Sequence, residues 1–252
     1  MTYLETTPNA HPDYRSGKRD RIASLAEDAD FRALSAAWRN MAQQRQYMHN
    51  FSWMGRPLIQ FPMDAMAIQE IIWSVRPDLI IETGIAHGGS LALCASMLEL
   101  LGGDRMVLGV DIDIRAHNRT AIEQHPMAHR IRMIEGSSTS PDVVDAVHKF
   151  AADRKKVVVL LDSNHTHDHV LAELNAYASL VSPDSYCVVF DTFVEDMPDD
   201  FVWVDRPWGK GNNPKTAVRE WMASHPEFAI DRTFEDHLLI TSAPEGFLKR
   251  VS

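Results

Sequence analysis

Polar side chains follow five apolar runs of this 252-residue chain, at the point where each run ends. Four runs end in or beside a carboxylate and the other leads into two serines: Glu82, Asp111, Asp162, Asp191, and Ser137 with Ser138. In open α/β sheets, ligands bind in the crevice outside the carboxyl ends of the strands. We therefore expect these residues to form one ligand site.

The first of these runs passes directly into a glycine-rich turn, residues 84–90 (GIAHGGS), and then into a segment typical of a helix. Such a turn lets a ligand approach the backbone closely, because glycine has no Cβ. Gly84, Gly88 and Ser90 are therefore candidate binding residues. Their spacing does not match the G-x-G-x-x-G fingerprint of dinucleotide-binding enzymes, which disfavours a nicotinamide-dependent oxidoreductase.

Asp111 and Asp113 follow the second run. A carboxylate at the end of a second strand can accept hydrogen bonds from both ribose hydroxyls of a nucleoside. Together with Glu82, this favours a nucleoside without a pyrophosphate. S-adenosylmethionine is such a ligand, because its amino group and sulfonium tolerate nearby acids.

Asp162 and Asp191 should lie at neighbouring strand ends, where their oxygens predict a site for Mg²⁺, an ion that keeps several waters. A bound Mg²⁺ lowers the pKa of a coordinated hydroxyl, which helps that hydroxyl to attack a methyl group. His165 lies just past Asp162. It is the candidate general base, a role typically worth ~10²–10⁴-fold in rate.

Strands and helices that could position these residues alternate from about residue 77. The pattern predicts strands over 78–83, 106–111, 130–134, 156–161 and 185–190, and helices over 89–101, 115–124, 141–152 and 167–180. Continuous apolar strands of this kind indicate a parallel sheet covered on both faces. Further along, Asn213 is predicted to cap a helix that ends near Ser224, and two last strands are expected near 227–233 and 237–242.

Residues 1–60 are predicted to form an N-terminal helical or lid segment, and residues 61–252 the catalytic domain. Within the first part, residues 1–20 are expected to be loose and residues 21–50 helical. Asp64 is predicted to cap the next helix. The long loop over 192–213 and three aromatic side chains are expected to cover a second substrate: Phe51, Trp53 and Trp208.

Composition excludes several classes of protein. The net charge is −10 and no basic stripe is present, which disfavours a nucleic-acid partner. No run approaches the roughly 20 apolar residues that a membrane span needs, and the polar N-terminus does not match a signal peptide. Cys94 and Cys187 lie in apolar runs, as reduced core thiols do. We therefore expect a cytoplasmic enzyme.

Seven segments, in order, resemble those of the cephalosporin hydroxylase / rhamnosyl O-methyltransferase family of S-adenosylmethionine-dependent enzymes: WMGRPLIQFPMD (53–64), PDLIIETGIAHGGS (77–90), VLGVDIDIRAHNR (107–119), IEGSS (134–138), LLDSNHTHDHVLAEL (160–174), FDTFVEDMP (190–198) and RPWGKGNNPKTAV (206–218). The resemblance begins near residue 47. It implies a Rossmann-like class I methyltransferase, an α/β fold whose seven-stranded, mostly parallel sheet has an antiparallel last strand. It also implies that Glu82, Gly84, Asp111 and Ser137 or Ser138 line the cofactor pocket.

Macrolide sugar O-methyltransferases of similar type use a strand-four Asp as a Mg²⁺ ligand and a His three residues later as the base. Asp162 and His165 match that spacing, but the relatives' Glu-Asp pair after strand five is Phe190-Asp191 here. Thr192, Glu195, Asp196 or water are the alternatives for the missing ligand. The resemblance therefore implies methyl transfer to a hydroxylated small molecule, with a sugar as the best candidate, and we expect a homo-oligomer.

Two other functions stay open at this point. The run His165-Thr166-His167-Asp168-His169 is one residue short of the H-x-H-x-D-H metal motif, so the three histidines could belong to a metallo-hydrolase. A non-catalytic subunit that only binds S-adenosylmethionine or a sugar nucleotide is the second alternative.

Overall fold

The N-terminal part of the computed structural model, which describes residues 11–252, contains two helices and a hairpin. They are α1 (Pro12–Glu27), α2 (Ala29–Gln44) and the antiparallel strands β1 (Phe51–Trp53) and β2 (Arg56–Leu58). Asp28 separates the helices and caps α2, because its carboxylate accepts the N–H of Phe31 at 2.8 Å. Residues 21–50, expected to be helical, are divided between the end of α1, α2 and a 3-10 helix over Tyr47–Asn50. Residues 12–20 belong to α1 and are not a loose segment, whereas residues 1–10 lie outside the described residues.

Seven strands form the central sheet. In chain order they are β3 (Leu79–Thr83), β4 (Met106–Asp111), β5 (Ile131–Glu135), β6 (Val157–Leu161), β7 (Tyr186–Val189), β8 (Phe228–Ile230) and β9 (Phe247–Arg250). Their spatial order is β5-β4-β3-β6-β7-β9-β8, and β9 runs antiparallel to both of its neighbours. The predicted seven-stranded, mostly parallel sheet with an antiparallel last strand is confirmed. The chain reverses its direction of growth between β3 and β6, and ligands of such sheets bind at that point.

Helices cover both faces of this sheet. They are α3 (Pro62–Val75), α4 (Gly89–Leu101), α5 (Ala116–Glu123), α6 (Pro141–Ala151), α7 (His167–Tyr177), α8 (Pro214–Met222) and α9 (Arg232–Leu238). Successive strand residues point to opposite faces, so Ile80 enters the core beneath α3 and α4, while Leu79 and Ile81 enter the core beneath α6, α7 and α8. Burial on both faces explains the continuous apolar runs of the sequence.

The C-terminal part differs from its prediction. Residues 237–242, expected to form a strand, instead contain the end of α9 and a loop, and the last strand is β9. Asp64 does not cap α3, whose N-cap is Phe61. It is fully buried and accepts hydrogen bonds from the Thr241 hydroxyl and from the Ser242 N–H and hydroxyl. This contact between residues far apart in the chain fixes the loop that local pattern mistakes for a strand.

No helix within residues 11–252 is both long enough and apolar enough to span a bilayer.

Asn213 caps α8, as predicted, and its contribution to stability can be measured. Its side-chain oxygen accepts the N–H groups of Lys215 and Thr216 at 3.0 and 3.2 Å, and the Thr216 hydroxyl completes a capping box. We expect Asn213→Ala to lower the free energy of unfolding in urea by about 1–2 kcal/mol. Both variants lose the hydrogen bonds that the Asn213 amide donates to Glu195 and to the Gly209 carbonyl, but Asn213→Ser keeps an oxygen that can accept the capping bonds and should therefore lose less stability than Asn213→Ala. Equal losses in the two variants would contradict the capping role.

Candidate active site

The turn after β3 packs directly against the end of β6. Gly84 has a φ of +90°, and a Cβ at this position would lie 2.0 Å from the backbone oxygen of Asp162. Only glycine combines this backbone conformation with so close an approach. The N–H of Gly84 also donates to the carbonyl of Val110 at 2.8 Å, so the turn is joined to β4 as well.

Asp111, predicted to hold a ribose, supports the turn. One of its carboxylate oxygens accepts the N–H groups of Ile85 and Ala86 at 2.7 and 3.1 Å, and the other accepts the N–H of Asp113 at 3.1 Å. Both oxygens keep lone pairs for a ligand, because each carboxylate can accept about four hydrogen bonds. Asp113 is exposed, and its carboxylate lies 3.9 Å from Nε of Arg115. It does not line the cavity that lies beside Asp111.

A cavity of about 260 Å³ lies beside this carboxylate. Its lining includes four of the predicted cofactor residues and two polar residues that follow β6: Gly84, Asp111, Ser137, Ser138, Ser163 and Asn164. The carboxyl ends of β3, β4, β5 and β6 thus converge on one cavity, as the sequence predicted. It lies at the topological switch point, where an α/β sheet binds its ligand.

His169 also lines this cavity, a position that the sequence pattern does not predict. Its Nε2 lies 3.1 Å from the Ser138 hydroxyl and 3.0 Å from the Ser163 hydroxyl. The fully buried Glu173, one helical turn further along α7, accepts the Ser163 hydroxyl at 2.7 Å. The i,i+4 spacing of His169 and Glu173 was the available signal, since residues so spaced share one helix face.

Glu82 lies buried at the end of β3 beneath the turn. It accepts a hydrogen bond from the Ser90 hydroxyl at the start of α4, and its second oxygen has no partner among the described residues. Burial raises the pKa of Glu82 to about 8, with a smaller contribution from the negative charge of Asp111. Glu82 is therefore protonated at neutral pH unless a cation lies beside it.

A smaller cavity of about 50 Å³ separates the turn from residues 57–60, which follow the hairpin. Ser90 and Asp162 line it, as does Gln60, whose buried side-chain oxygen has no partner in the described part of the chain. Gly88 is the left-handed N-cap residue of α4 and does not line this cavity. Gly89 lies so close to Pro57 that a Cβ would be 2.1 Å from its carbonyl oxygen.

Asp162, His165 and Asp191 come together beside the small cavity. Their ligand atoms all lie within 4.8 Å of one another, the single such group of three metal-ligating side chains within residues 11–252. His165 Nε2 is 3.0 Å from a carboxylate oxygen of Asp191. Asp191 occupies the left-handed region, with a φ of 56°, directly after Phe190 at the end of the β7 run. The structure thus brings together the three residues predicted for metal binding and proton transfer.

The donor set fits a divalent cation. Burial and the neighbouring charge of Asp191 raise the pKa of Asp162 well above its usual value, so a cation between them would relieve a real electrostatic cost. Each of the three protein side chains considered for the missing metal ligand already has another partner. Thr192 donates to the Pro244 carbonyl, Glu195 accepts from Gly211 and Asn213, and Asp196 pairs with Lys215. The two carboxylates leave several positions to water or substrate oxygens.

The three histidines of residues 165–169 do not share a site, and the metallo-hydrolase alternative is therefore wrong. His165 pairs with Asp191, whereas His167 contacts Thr216 and Glu220. His169 faces the larger cavity. A helix begins at His167, and it directs the three side chains to different partners.

Two tryptophans expected to cover a substrate have different environments. Trp208, in the long loop before α8, contacts the ring of His165 edge-on at a centroid distance of 4.7 Å. Its buried indole N–H has no hydrogen-bond partner among the described residues. Trp53 instead donates to the Ser96 hydroxyl on α4 and packs against the core, so it does not cover the site.

Strand order and site position together define a class I methyltransferase fold. A CmcI structure is similar to this chain at 18% identity, with a TM-score of 0.56 over 81% of this chain and 77% of that one. A second CmcI structure, an Mg-SAM complex, gives a TM-score of 0.55 at 18% identity, over 81% of this chain and 78% of that one.

The chain belongs to the family described as Rhamnosyl O-methyltransferase/CmcI, whose model matches residues 45–251. Relatives named rhamnosyl O-methyltransferase, from Mycobacterium bovis and Mycobacterium tuberculosis, are 29% identical over 239 residues, which is 91% of each chain. This membership confirms the family predicted from the seven segments. It also confirms the predicted class of enzyme, an S-adenosylmethionine-dependent O-methyltransferase.

The raised pKa of Glu82 predicts a pH-dependent cost to stability. In the unfolded chain this carboxyl ionises near its usual pKa of 4.5, but in the folded protein only near 8. The contribution of Glu82 to the free energy of unfolding is therefore complete below about pH 4.5. It is lost as the pH rises to 8, because the unfolded chain releases the proton in this range while the folded protein still holds it. Glu82→Gln cannot ionise, so it should be more stable than the wild type at pH 9, by up to roughly 5 kcal/mol, with the advantage fading toward pH 4.

Urea denaturation across this pH range, without cofactor, measures the difference. Glu123→Gln, at an exposed site on α5, is the matched control and should stay within about 0.5 kcal/mol at every pH. An advantage of Glu82→Gln that does not vary with pH would show that the carboxyl does not titrate in this window.

Proposed function

We propose that this chain transfers a methyl group from S-adenosylmethionine to a hydroxyl of a sugar, and that Mg²⁺ assists the reaction. The observation that carries the proposal is the convergence of Asp162, Asp191 and His165 next to the cavities formed by the Gly84–Ser90 turn. An acceptor hydroxyl held by these residues would lie beside a bound cofactor. Holding both reactants in place is worth about 7–11 kcal/mol in favourable cases.

The cofactor's nucleoside would occupy the larger cavity and its amino-acid end the smaller one. S-adenosylmethionine supplies an electrophilic methyl group when bound. Asp111 is available to the ribose hydroxyls, and the side chains of Ser138 and His169 offer hydrogen-bonding groups to the adenine. The cofactor's ammonium and sulfonium would favour the ionised form of Glu82, whose second oxygen lacks a partner in the described part of the chain. Gln60, which lines the smaller cavity, is the neutral polar group on the opposite side.

Asp162 and Asp191 would hold Mg²⁺, which supplies Lewis-acid activation of a hydroxyl when bound. His165 would accept the hydroxyl proton at Nδ1, since Nε2 faces Asp191 at 3.0 Å. The Asp191 carboxylate favours the resulting imidazolium, as a nearby opposite charge does. Trp208 lies against the imidazole at a centroid distance of 4.7 Å, and this contact would help to orient the ring.

A sugar is the acceptor best supported by the relatives, which are named rhamnosyl O-methyltransferases. The buried indole N–H of Trp208 offers one hydrogen-bond donor beside His165. A sugar presents several hydroxyl acceptors and an apolar ring face, and an indole can contact both. Trp208 is therefore the residue that we assign to acceptor recognition.

The N-terminal segment, residues 1–60, would act as a lid and residues 61–252 as the catalytic domain. Residues 57–60 form one wall of the small cavity, and Pro57 contacts the start of α4 at Gly89. A ligand between this wall and the turn would be shielded from water, which strengthens its polar interactions.

The transfer assay combines purified protein, S-adenosylmethionine, Mg²⁺ and a panel of rhamnosides, with products measured by mass spectrometry. We expect a product heavier by one methylene group. Asp162→Ala should abolish transfer while cofactor affinity, measured by calorimetry, stays within about threefold. His165→Ala should lower kcat at least ~10²-fold, because the general base is lost.

His167→Ala is the matched control, since His167 lies two residues further on and faces Thr216 and Glu220. It should retain kcat within about threefold. Full turnover by Asp162→Ala would eliminate the metal-assisted scheme. Cofactor binding without transfer to any hydroxylated acceptor would instead favour a non-catalytic subunit.

We also infer that the chain forms a homo-oligomer through α2. Four large apolar side chains at helical spacing are exposed on this helix: Phe31, Leu34, Trp38 and Met41. Contiguous apolar surface of this kind marks interaction sites. Light scattering after gel filtration should give a multiple of 28.5 kDa for the wild type and a smaller mass for Leu34→Glu. A wild-type monomer would refute the inference, and Leu100→Glu, at an exposed site on α4, should leave the mass unchanged.

A further inference from the structure

Arg39, on α2, is a buried cation without a hydrogen bond. Its side chain is only 9% exposed, yet none of its nitrogens donates a hydrogen bond to any residue of the described chain. A guanidinium has five N–H donors in a rigid planar fork. Burial lowers the pKa of Arg39, because removing the positive charge from water disfavours the charged form. The Nε atom is fully buried without a partner among the described residues, which makes this guanidinium a candidate site for a ligand.

The nearest carboxylate does not satisfy Arg39. A terminal nitrogen of its guanidinium lies 3.6 Å from Asp196, beyond hydrogen-bond distance. Both oxygens of Asp196 already accept from the ammonium of Lys215, at 2.6 and 2.7 Å. Lys215 is itself almost fully buried, and among the described residues no carboxylate oxygen lies within hydrogen-bond distance of Arg39.

Arg39 lines a cavity of about 410 Å³ that is distinct from the two cavities of the candidate active site. Arg32 and Arg232 also line it, and both are partly exposed. The lining contains four basic and three acidic side chains. Of the acids, Asp196 is bound by Lys215 and Glu245 is bound by Arg219 from outside the cavity. Burial raises the pKa of the third, Glu235, so its charge is the most easily lost.

We propose that this cavity binds a small molecule through a phosphate or carboxylate group held by the fork of Arg39. A planar guanidinium pairs with such oxyanions through two parallel hydrogen bonds, and the exposed side of the cavity carries Arg32 and Arg232, which pair with Asp236 and Glu235. The volume exceeds that of a phosphate ion and lies within the range of small-molecule sites. The proposal does not depend on the proposed methyl transfer, because none of the cofactor or metal residues lines this cavity.

The site would nevertheless influence the active site. Asp196 ends the short 3-10 helix over Thr192–Asp196, which begins directly after Asp191. An anion on Arg39 would lie against the far end of the segment that carries this metal-site carboxylate. Occupancy would therefore stabilise the loop on which Asp191 depends.

Isothermal titration calorimetry with inorganic phosphate, and separately with malonate, tests the proposal on the full chain at constant ionic strength. Wild type should show saturable binding of at least one anion below about 10 mM, and the tighter of the two identifies the preferred group. Arg39→Met should weaken that binding at least about tenfold, as expected when a charge-assisted pair is lost. Arg39→Lys keeps the charge without the fork and should lose less.

Two control variants test whether anion binding is specific to Arg39. Arg154→Met removes an arginine that precedes β6 and pairs with Asp104, and Arg115→Met removes an exposed arginine before α5, and both should bind the anion like wild type. Arg39→Met should also keep or raise the melting temperature, because an apolar side chain removes an uncompensated buried charge. No saturable binding by wild type, or equal binding by wild type and both Arg39 variants, would overturn the proposal.

Discussion

The close approach of the β3–α4 turn to the ends of β4 and β6 is the contact on which the rest of the site depends. Gly84 allows it, because any Cβ there would collide with the backbone of Asp162. The Asp111 carboxylate then closes the turn by accepting two of its N–H groups. One small residue and one acid therefore set the distance between the glycine-rich turn and the end of β6, which Asp162 follows.

This arrangement concentrates buried negative charge at one edge of the sheet. Glu82 and Asp162 both have raised pKa values, and burial is the main cause for each. Burial also raises the pKa of Asp64 to about 6, against three hydrogen bonds that favour its ionised form. Nothing in the folding of the chain alone favours so many acids in one low-dielectric region. The cationic ligands that we propose, a sulfonium and a divalent metal, would make the ionised forms of these acids favourable.

Asp64 shows how much of this site lies beyond local sequence pattern. It holds Thr241 and Ser242, and the loop over 242–244 in turn accepts hydrogen bonds from Phe193 and Thr192, just past Asp191. The sequence predicts Asp64 as a helix cap, because an acid near a helix start usually has that role. The apolar run over 237–242 is predicted as a strand for a similar reason. Both errors come from one contact between segments that are distant in the chain.

Where local pattern is strong, prediction succeeds. The runs that became β3, β4, β6 and β7 are apolar throughout because helices cover both faces, and the polar residues at their ends lie at the carboxyl edge by topology alone. Strand β9 escaped prediction because it is short and ends in Lys249 and Arg250. Its position is set by pairing with β7 and β8, which no window of sequence contains.

Sequence alone cannot show which of the acids at Asp191 and in the segment over 192–196 are free to bind a ligand. Glu195 and Asp196 resemble metal ligands as much as Asp191 does. In the fold, however, Glu195 holds the loop at Gly211 and Asn213, and Asp196 neutralises Lys215. The three acids of this segment therefore have three different environments: Asp191 lies beside Asp162 and His165 at the proposed metal site, Glu195 anchors a loop, and Asp196 lines the cavity of Arg39. Neither Glu195 nor Asp196 replaces the acid absent at Phe190, because both carboxylates are engaged by other residues.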